Sequence, residues 1–344
     1  MTNNGDAHNI NQIDNYYINI KNIYINMITH TQLEYLVAVD RHGSFSEAAA
    51  RCFVTQPTLS MQIQKLEAEL GVTLFDRGRK PVAATPIGKT VIDRAYRTLR
   101  EFKGIVEVVR EQRETVSGEL RLGIIPTLGP YLLPRFITGL LASYPQVRMT
   151  IQERPTADIV EGLRRDMLDV GIAATPLADK SIRESPLFYE PFYGYVSAGH
   201  RLADKKRLST GDLAPDEMIL LDSGHCLYGQ VSQLCTGTRG MNDEASPRLR
   251  FVGGSLEGLM RIVESGHGVT LLPELAAMNL PPAFKGLLRP FESPVPVREV
   301  SLITHGDGVK TRLVEILSRS IRDGVPGGLK VKGRDWRIIG AKPA

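Results

Sequence analysis

The sequence predicts a mixed α/β chain in three consecutive parts: a small helical unit closed by a basic hairpin, one long amphipathic helix, and a two-lobed α/β region. Three observations predict it. Apolar residues recur with a helical period between sharp caps from Thr31 to about Pro86. A single apolar stripe at steps of three and four then runs from Ile87 to Val109, with no proline after Pro86. From Glu119 onward, short strand-like apolar runs alternate with helical segments.

The bulk properties narrow the class. A chain of 344 residues exceeds one average domain, and 42% hydrophobic with 23% charged residues excludes wholesale disorder. The net charge of +4 permits an anionic partner without requiring one. No apolar run reaches the ~18 residues of a membrane span, and no secretory leader is visible. Three cysteines make no disulfide framework, so a reducing cytoplasm is the expected location, where any disulfide is transient. Residues 1–26 are rich in Asn and lack caps or an amphipathic period, so a disordered or extraneous extension is expected there. An added edge strand is the alternative.

Residues 27–85 read as a winged helix-turn-helix. Leu33, Leu36, Val37 and Val39 share a stripe that ends at Gly43. Ser44-Phe45-Ser46-Glu47 has the form of a capping box, and Ala48-Ala49-Ala50 permits close helix packing. Thr55 then caps a second helix with Pro57 in its first turn and Leu59, Ile63, Leu66 and Leu70 on its buried face. Off that stripe lie Gln56, Thr58, Ser60, Met61 and Gln64, types able to bond bases or phosphates from a major groove. Arg77, Arg79 and Lys80 in the following hairpin supply phosphate contacts. A helical hairpin with a polar face and a solvated loop is the plain alternative. Residues 86–116 form the linker helix, whose stripe of Ile87, Val91, Ala95, Leu99, Phe102, Val106 and Val109 is expected to pair with a second copy, with packing against its own chain as the alternative.

Residues 117–323 carry the α/β pattern. Strands are expected at 120–125, 147–152 and 168–173, with crossover helices and a parallel sheet. Thr127 and Thr156 each fall just after a strand, at or near a helix start, where a plain cap is the common role. A second α/β unit runs from Phe192 to about Pro290. The tail 324–344 has Gly, Lys and Pro without apolar period and is expected to be loose.

Two of the three cysteines, Cys226 and Cys235, lie nine positions apart in the second lobe, with His225 directly before the first. A thiol reacts as its thiolate, and a second thiol can capture an oxidised first one. Two buried cysteines acting as small hydrophobes are the alternative reading. A zinc site is disfavoured, because no paired Cys-x-x-Cys or fourth ligand accompanies them.

A resemblance bears on this choice. Leu33-Glu34-Tyr35-Leu36, Gly43-Ser44-Phe45, Ala48-Ala49, Gln56-Pro57-Thr58-Leu59-Ser60, Leu66-Glu67, Leu70-Gly71, Leu74-Phe75 and Thr85-Pro86-Ile87-Gly88 resemble the LysR-type transcriptional regulators. The two-lobed region fits that family's effector domain, which resembles periplasmic binding proteins. Ile125-Pro126-Thr127, Gly129-Pro130-Tyr131-Leu132-Leu133-Pro134, Asp222, Gly224-His225-Cys226-Leu227, Gln230 and Cys235 are similar to the family's peroxide-sensing members. The segment between the cysteines departs from that pattern at Gly229 and Val231-Ser232-Gln233-Leu234.

The resemblance implies that Cys226 is the peroxidatic thiol and Cys235 the resolving one. Thr127 and Thr156 would hold peroxide, with His225, Gln230 and Arg298 around it; Cys52 would be a structural thiol. It implies DNA contacts from Gln56, Pro57, Thr58, Ser60, Gln64, Arg77, Arg79 and Lys80. The implied partners are double-stranded operator DNA, RNA polymerase, hydrogen peroxide as signal and a thiol reductant such as glutaredoxin. A homodimer or homotetramer is expected, with no cofactor, metal, enzymatic activity or membrane. Two rivals stand beside this reading: a regulator binding a small metabolite between its lobes, and a thiol peroxidase fused to a helical domain.

Overall fold

Residues 28–111, 115–222, 224–235, 255–306 and 310–340 are described by a computed structural model. The expectation for residues 1–26 lies outside them. The chain divides into two units, Met1–Ile105 and Val106–Ala344.

In the first unit, helix α1 (His30–His42) begins with a complete capping box between Thr29 and Gln32. It ends at Gly43, whose φ of 60° is left-handed and whose position a Cβ would drive to 2.8 Å from Pro81 Cβ. Helix α2 (Phe45–Arg51) is capped by Ser44 accepting from the Glu47 N–H. The expected return bond from Glu47 is replaced, since its carboxylate sits 3.4 Å from His42 Nδ1. Helix α3 (Gln56–Leu70) is capped by Thr55 and stopped at Gly71. Leu36, Val39, Ala48, Leu59, Ile63 and Leu66 form the core between these helices. Strands β1 (Phe75–Asp76) and β2 (Ala83–Ala84) make the antiparallel hairpin.

Helix α4 (Pro86–Glu111) corrects one expectation. Its stripe does not act as a single free seam. Ala95 and Leu99, with Ile92 and Tyr96, are buried against the first unit's core, whereas Phe102, Ile105, Val106, Val108 and Val109 are exposed.

The second unit is built on one curled sheet in the order β4-β3-β5-β9-β6-β7. Strand β3 (Gly118–Ile124) pairs in parallel with β4 (Val147–Glu153) and β5 (Val170–Thr175), with α5 (Gly129–Ser143) and α6 (Thr156–Arg164) as crossovers. The expected parallel sheet is in fact mixed. Strands β6 (Ile182–Val196) and β9 (Val295–His305) run antiparallel to each other, and β9 is antiparallel to β5. Strand β6 pairs with β9 over Ile182–Pro191 and with β7 (Val269–Pro273) over Phe192–Val196, so it passes from one lobe into the other. The second lobe also holds α7 (Cys226–Leu234), α8 (Leu256–Glu264), α9 (Glu274–Met278) and β8 (Leu288–Pro290).

Helix α10 (Thr311–Gly324) leads into the tail, and here a second expectation fails. Residues 324–340 are packed, not loose: Val325, Leu329 and Ile339 are buried, and β10 (Trp336–Ile338) pairs in parallel with Val295–Val297 of β9. The physical reason is that β9 leaves this end of its edge open for backbone pairing. Residues 341–344 lie outside the described residues.

Candidate functional site

Four separate backbone features converge on the Cys226 sulfur. Cys226 is the first residue of α7, where unpaired N–H groups and the helix dipole favour an anion. Thr127 follows β3 in the turn before α5, and Thr156 opens α6. Arg298 stands on β9 directly opposite Glu190 on β6.

The anchor of this arrangement is a buried ion pair. Arg298 and Glu190 are both fully buried, with Arg298 Nε and Nη2 each 2.8 Å from Glu190 Oε2. The other carboxylate oxygen accepts from the Leu275 N–H at 2.7 Å. Arg298 Nη1 donates to Thr127 Oγ1 at 2.9 Å, and Nη2 to the Thr127 carbonyl at 3.2 Å. Because Thr127 Oγ1 accepts from the guanidinium, its own proton is left for the neighbouring thiol.

Burial pushes the Cys226 thiol above the ordinary thiol range. Arg298, Thr127, Thr156 and the Leu227 N–H oppose it, each favouring the thiolate. Among the described residues the buried Thr156 Oγ1 has no hydrogen-bond partner, so its influence on the sulfur is that of a nearby hydroxyl, not of a formed bond. It is a donor awaiting an acceptor. His225 caps α7, and burial holds its imidazole below the usual range, hence neutral at pH 7. Its buried Nδ1 has no hydrogen-bond partner among the described residues.

Cys235 ends the same helix and is buried, with its thiol pushed up to about 11 by desolvation alone. At about 1.5 Å per residue, nine helical steps place the two Cα atoms roughly 13 Å apart. A disulfide needs them within about 7 Å. All three cysteines are free thiols. Cys52 is half-buried in the first unit, and burial raises its thiol too.

Of the residues expected around the thiol, Thr127, Thr156 and Arg298 meet it. Gln230 stands one turn along α7 from Cys226. It is fully buried on α7, and its Nε2 donates to the Ile339 carbonyl at 3.2 Å. Glu190 was missed by sequence reasoning. The signal was present, since a lone carboxylate inside Leu187-Phe188-Tyr189-Glu190-Pro191-Phe192 demands a buried cation.

On the first unit, Gln56, Pro57, Thr58, Met61 and Gln64 are exposed along α3, and Ser60 is half-buried. Arg77 is already engaged: it donates to Ser60 Oγ at 3.1 Å and to Glu67 Oε2 at 3.0 Å, and lies over the Phe45 ring. It ties the hairpin to α3. Arg79 makes only an exposed pair with Asp76, and Lys80 is exposed at the hairpin tip.

Residues 30–89 match the bacterial regulatory helix-turn-helix family of lysR type, and residues 113–326 match the LysR substrate binding domain. The chain belongs to the LysR family of transcriptional regulators. Within this LysR family it is 38% identical over 299 residues to the DNA-binding transcriptional dual regulator OxyR of Escherichia coli strain K12, covering 86% of this chain and 95% of that one. It is 36% identical to the hydrogen peroxide-inducible genes activator of Pectobacterium carotovorum subsp. carotovorum, over 86% of this chain and 96% of the relative. A full-length OxyR variant from Pseudomonas aeruginosa superposes with a TM-score of 0.71 at 34% identity, covering 86% and 95% of the two chains. The LysR regulator described here has no helix, among the described residues, long and apolar enough to cross a membrane.

Proposed function

We propose that this LysR-type regulator senses hydrogen peroxide through Cys226 and is switched by a reversible Cys226–Cys235 disulfide. The observation that carries the reading is the convergence of Arg298, Thr127 and a partnerless Thr156 hydroxyl on a thiol at a helix N-terminus. Such a cluster offers hydroxyl donors to a small polar guest and a cation to the charge that develops. Similarity to relatives named as peroxide-inducible activators supports the same chemistry.

In the first step the Cys226 thiolate attacks one peroxide oxygen. The S–O bond forms, the O–O bond breaks, and the leaving hydroxide takes a proton to become water. Arg298, through Thr127, stabilises the sulfur anion, and the Thr156 hydroxyl serves the bound peroxide. His225, neutral, is available to accept the thiol proton. In the second step Cys235 attacks the sulfenic sulfur, forming the S–S bond and expelling water. The α7 helix must open between the cysteines for this to occur. A cytoplasmic dithiol reductant of the glutaredoxin type restores both thiols.

The first unit reads operator DNA through Gln56, Pro57, Thr58, Ser60 and Gln64, with Arg79 and Lys80 on phosphate and Arg77 holding the hairpin in place. The exposed apolar half of α4 pairs subunits into a homodimer or homotetramer that engages RNA polymerase. The chain is a regulator and not an enzyme.

The test is a thiol count before and after one equivalent of peroxide, with peptide mapping by mass spectrometry. Loss of two thiols and a Cys226–Cys235 linkage is expected, with dimedone trapped on Cys226 in Cys235→Ser. Retention of all thiols would leave a metabolite-responsive LysR regulator in its place.

A further inference from the structure

The segment expected to be loose is the one that holds the helix carrying both cysteines. Gln230 and Gln233 stand three residues apart on α7 and so share one helix face. Their Nε2 atoms donate to successive backbone carbonyls of the tail, Gln230 to Ile339 at 3.2 Å and Gln233 to Gly340 at 2.8 Å. The tail is in turn fixed to β9. Trp336, Arg337 and Ile338 pair with Val295, Pro296 and Val297. The Val295 N–H donates to the Asp335 carbonyl and the Ile339 N–H to the Val297 carbonyl, both at 2.8 Å. Ile339 is buried in the main core, and the Trp336 ring lies so close over Gly333 that no Cβ fits there. The residue after Val297 is Arg298. The tail therefore joins the helix bearing Cys226 to the strand bearing its guanidinium.

Both glutamines lie between the two cysteines. Bringing Cys226 and Cys235 from roughly 13 Å to within about 7 Å breaks the helix in this interval. Once it breaks, the two amides lose the three-residue helical spacing that matches successive carbonyls. We infer that residues 333–340 are a clamp specific to the reduced state: Gln230 and Gln233 hold the tail while α7 is helical, and disulfide formation releases it. Gln233 is thus a positioning residue for the switch, acting through the tail and not on the sulfur. The inference rests on the disulfide reading above.

Trp336 is the only tryptophan in the chain, so intrinsic fluorescence reports the tail directly. Full-length protein is titrated with peroxide while thiols and tryptophan emission are followed in the same sample. The expected result is a red shift and greater acrylamide quenching in step with the loss of two thiols, both reversed by dithiothreitol. Cys235→Ser, oxidised only at Cys226, should show neither change.

Gln233→Leu separates clamping from general stability. It should shorten the lifetime of the Cys226 sulfenic acid roughly fivefold, the worth of one side-chain hydrogen bond, while the first step keeps its rate. A purely structural residue would not accelerate the second step. If two thiols are lost and Trp336 is unmoved, the clamp is refuted and the peroxide reading stands. If no thiol is lost, both fall. An unchanged sulfenic lifetime in Gln233→Leu also overturns the clamp.

Discussion

Replacing Arg298 by Met separates the electrostatic role of this residue from its packing role. The side chain is fully buried, and Met keeps much of its length while removing every donor. Glu190, itself fully buried, would keep only the Leu275 N–H. Breaking a buried pair from one side typically costs about 3–5 kcal/mol, because the surviving charge is stranded or must take up a proton. For a unit of this size each kcal/mol is worth about 2–4 °C, so thermal unfolding should fall by roughly 6–20 °C. Glu190→Gln in the same background removes the stranded charge and should recover most of the loss, a coupling that a double-mutant cycle measures. The double variant remains impaired in chemistry, because Arg298 opposes the desolvation of the Cys226 thiol and orients Thr127. Trapping of Cys226 sulfenic acid by dimedone should slow about tenfold or more, the worth of one hydrogen bond to a charged group, because the guanidinium that favours the thiolate is gone. An Arg298→Met protein that melts within about 1 °C of wild type, or a double variant no better than the single one, would refute the buried-pair argument.

Thr127→Val and Thr156→Val should each slow sulfenic acid formation while leaving all thiols countable, as stopped-flow trapping would show; equal rates would remove the hydroxyls from the chemistry. The reaction rate should climb about tenfold per pH unit from 6 to 8, because the Cys226 thiol titrates above the ordinary range and only its thiolate attacks. For stability the sign is opposite: the folded state holds the Cys235 proton up to about 11. The unfolded chain releases it near the ordinary thiol value, so stability is lost as pH rises from there, by about 2–3 kcal/mol at most, and Cys235→Ala should abolish that slope in urea melts. On DNA, Arg79→Ala should weaken binding to all sequences with a shallower salt dependence, and Gln56→Ala should relax sequence preference, whereas Arg77→Ala should chiefly lower the melting point of the first unit.

The helical unit was legible in the sequence because its signals are local. Thr55 as cap, Gly43 and Gly71 as stops, and Leu59, Ile63 and Leu66 as stripe each depend on neighbours within a few residues. The sheet was less legible. Periodicity marks a strand but not its direction, so no local pattern foretells that β6 and β9 run antiparallel to each other. At the redox site, Thr127 looked like a helix cap until resemblance placed it near Cys226, and only the fold shows why. It takes Arg298 to fix its oxygen, and Glu190 to fix Arg298, from positions 171 and 108 residues apart in the chain. The tail was misjudged because Trp336-Arg337-Ile338-Ile339 is too short to show a period among its glycines and lysines. Its stability comes from an edge of β9 that no local pattern reveals.

On the proposed disulfide reading, holding the two cysteines at opposite ends of one helix makes the response selective. A general oxidant that links nearby thiols finds them roughly 13 Å apart, beyond the reach of a direct bond. Both thiols are pushed up by burial, so neither offers a large thiolate fraction at neutral pH. Cys226 differs electrostatically from Cys235: it has Arg298, two threonine hydroxyls and a helix N-terminus to stabilise negative charge, while desolvation acts alone on Cys235. On the proposed reading, reaction therefore begins at Cys226, with an oxidant polar enough to use the Thr156 hydroxyl. The disulfide can follow only after the helix opens. On the proposed reading, the order of the two steps is thus set by electrostatics, and the delay between them by the cost of unwinding α7 from the tail bonded to it.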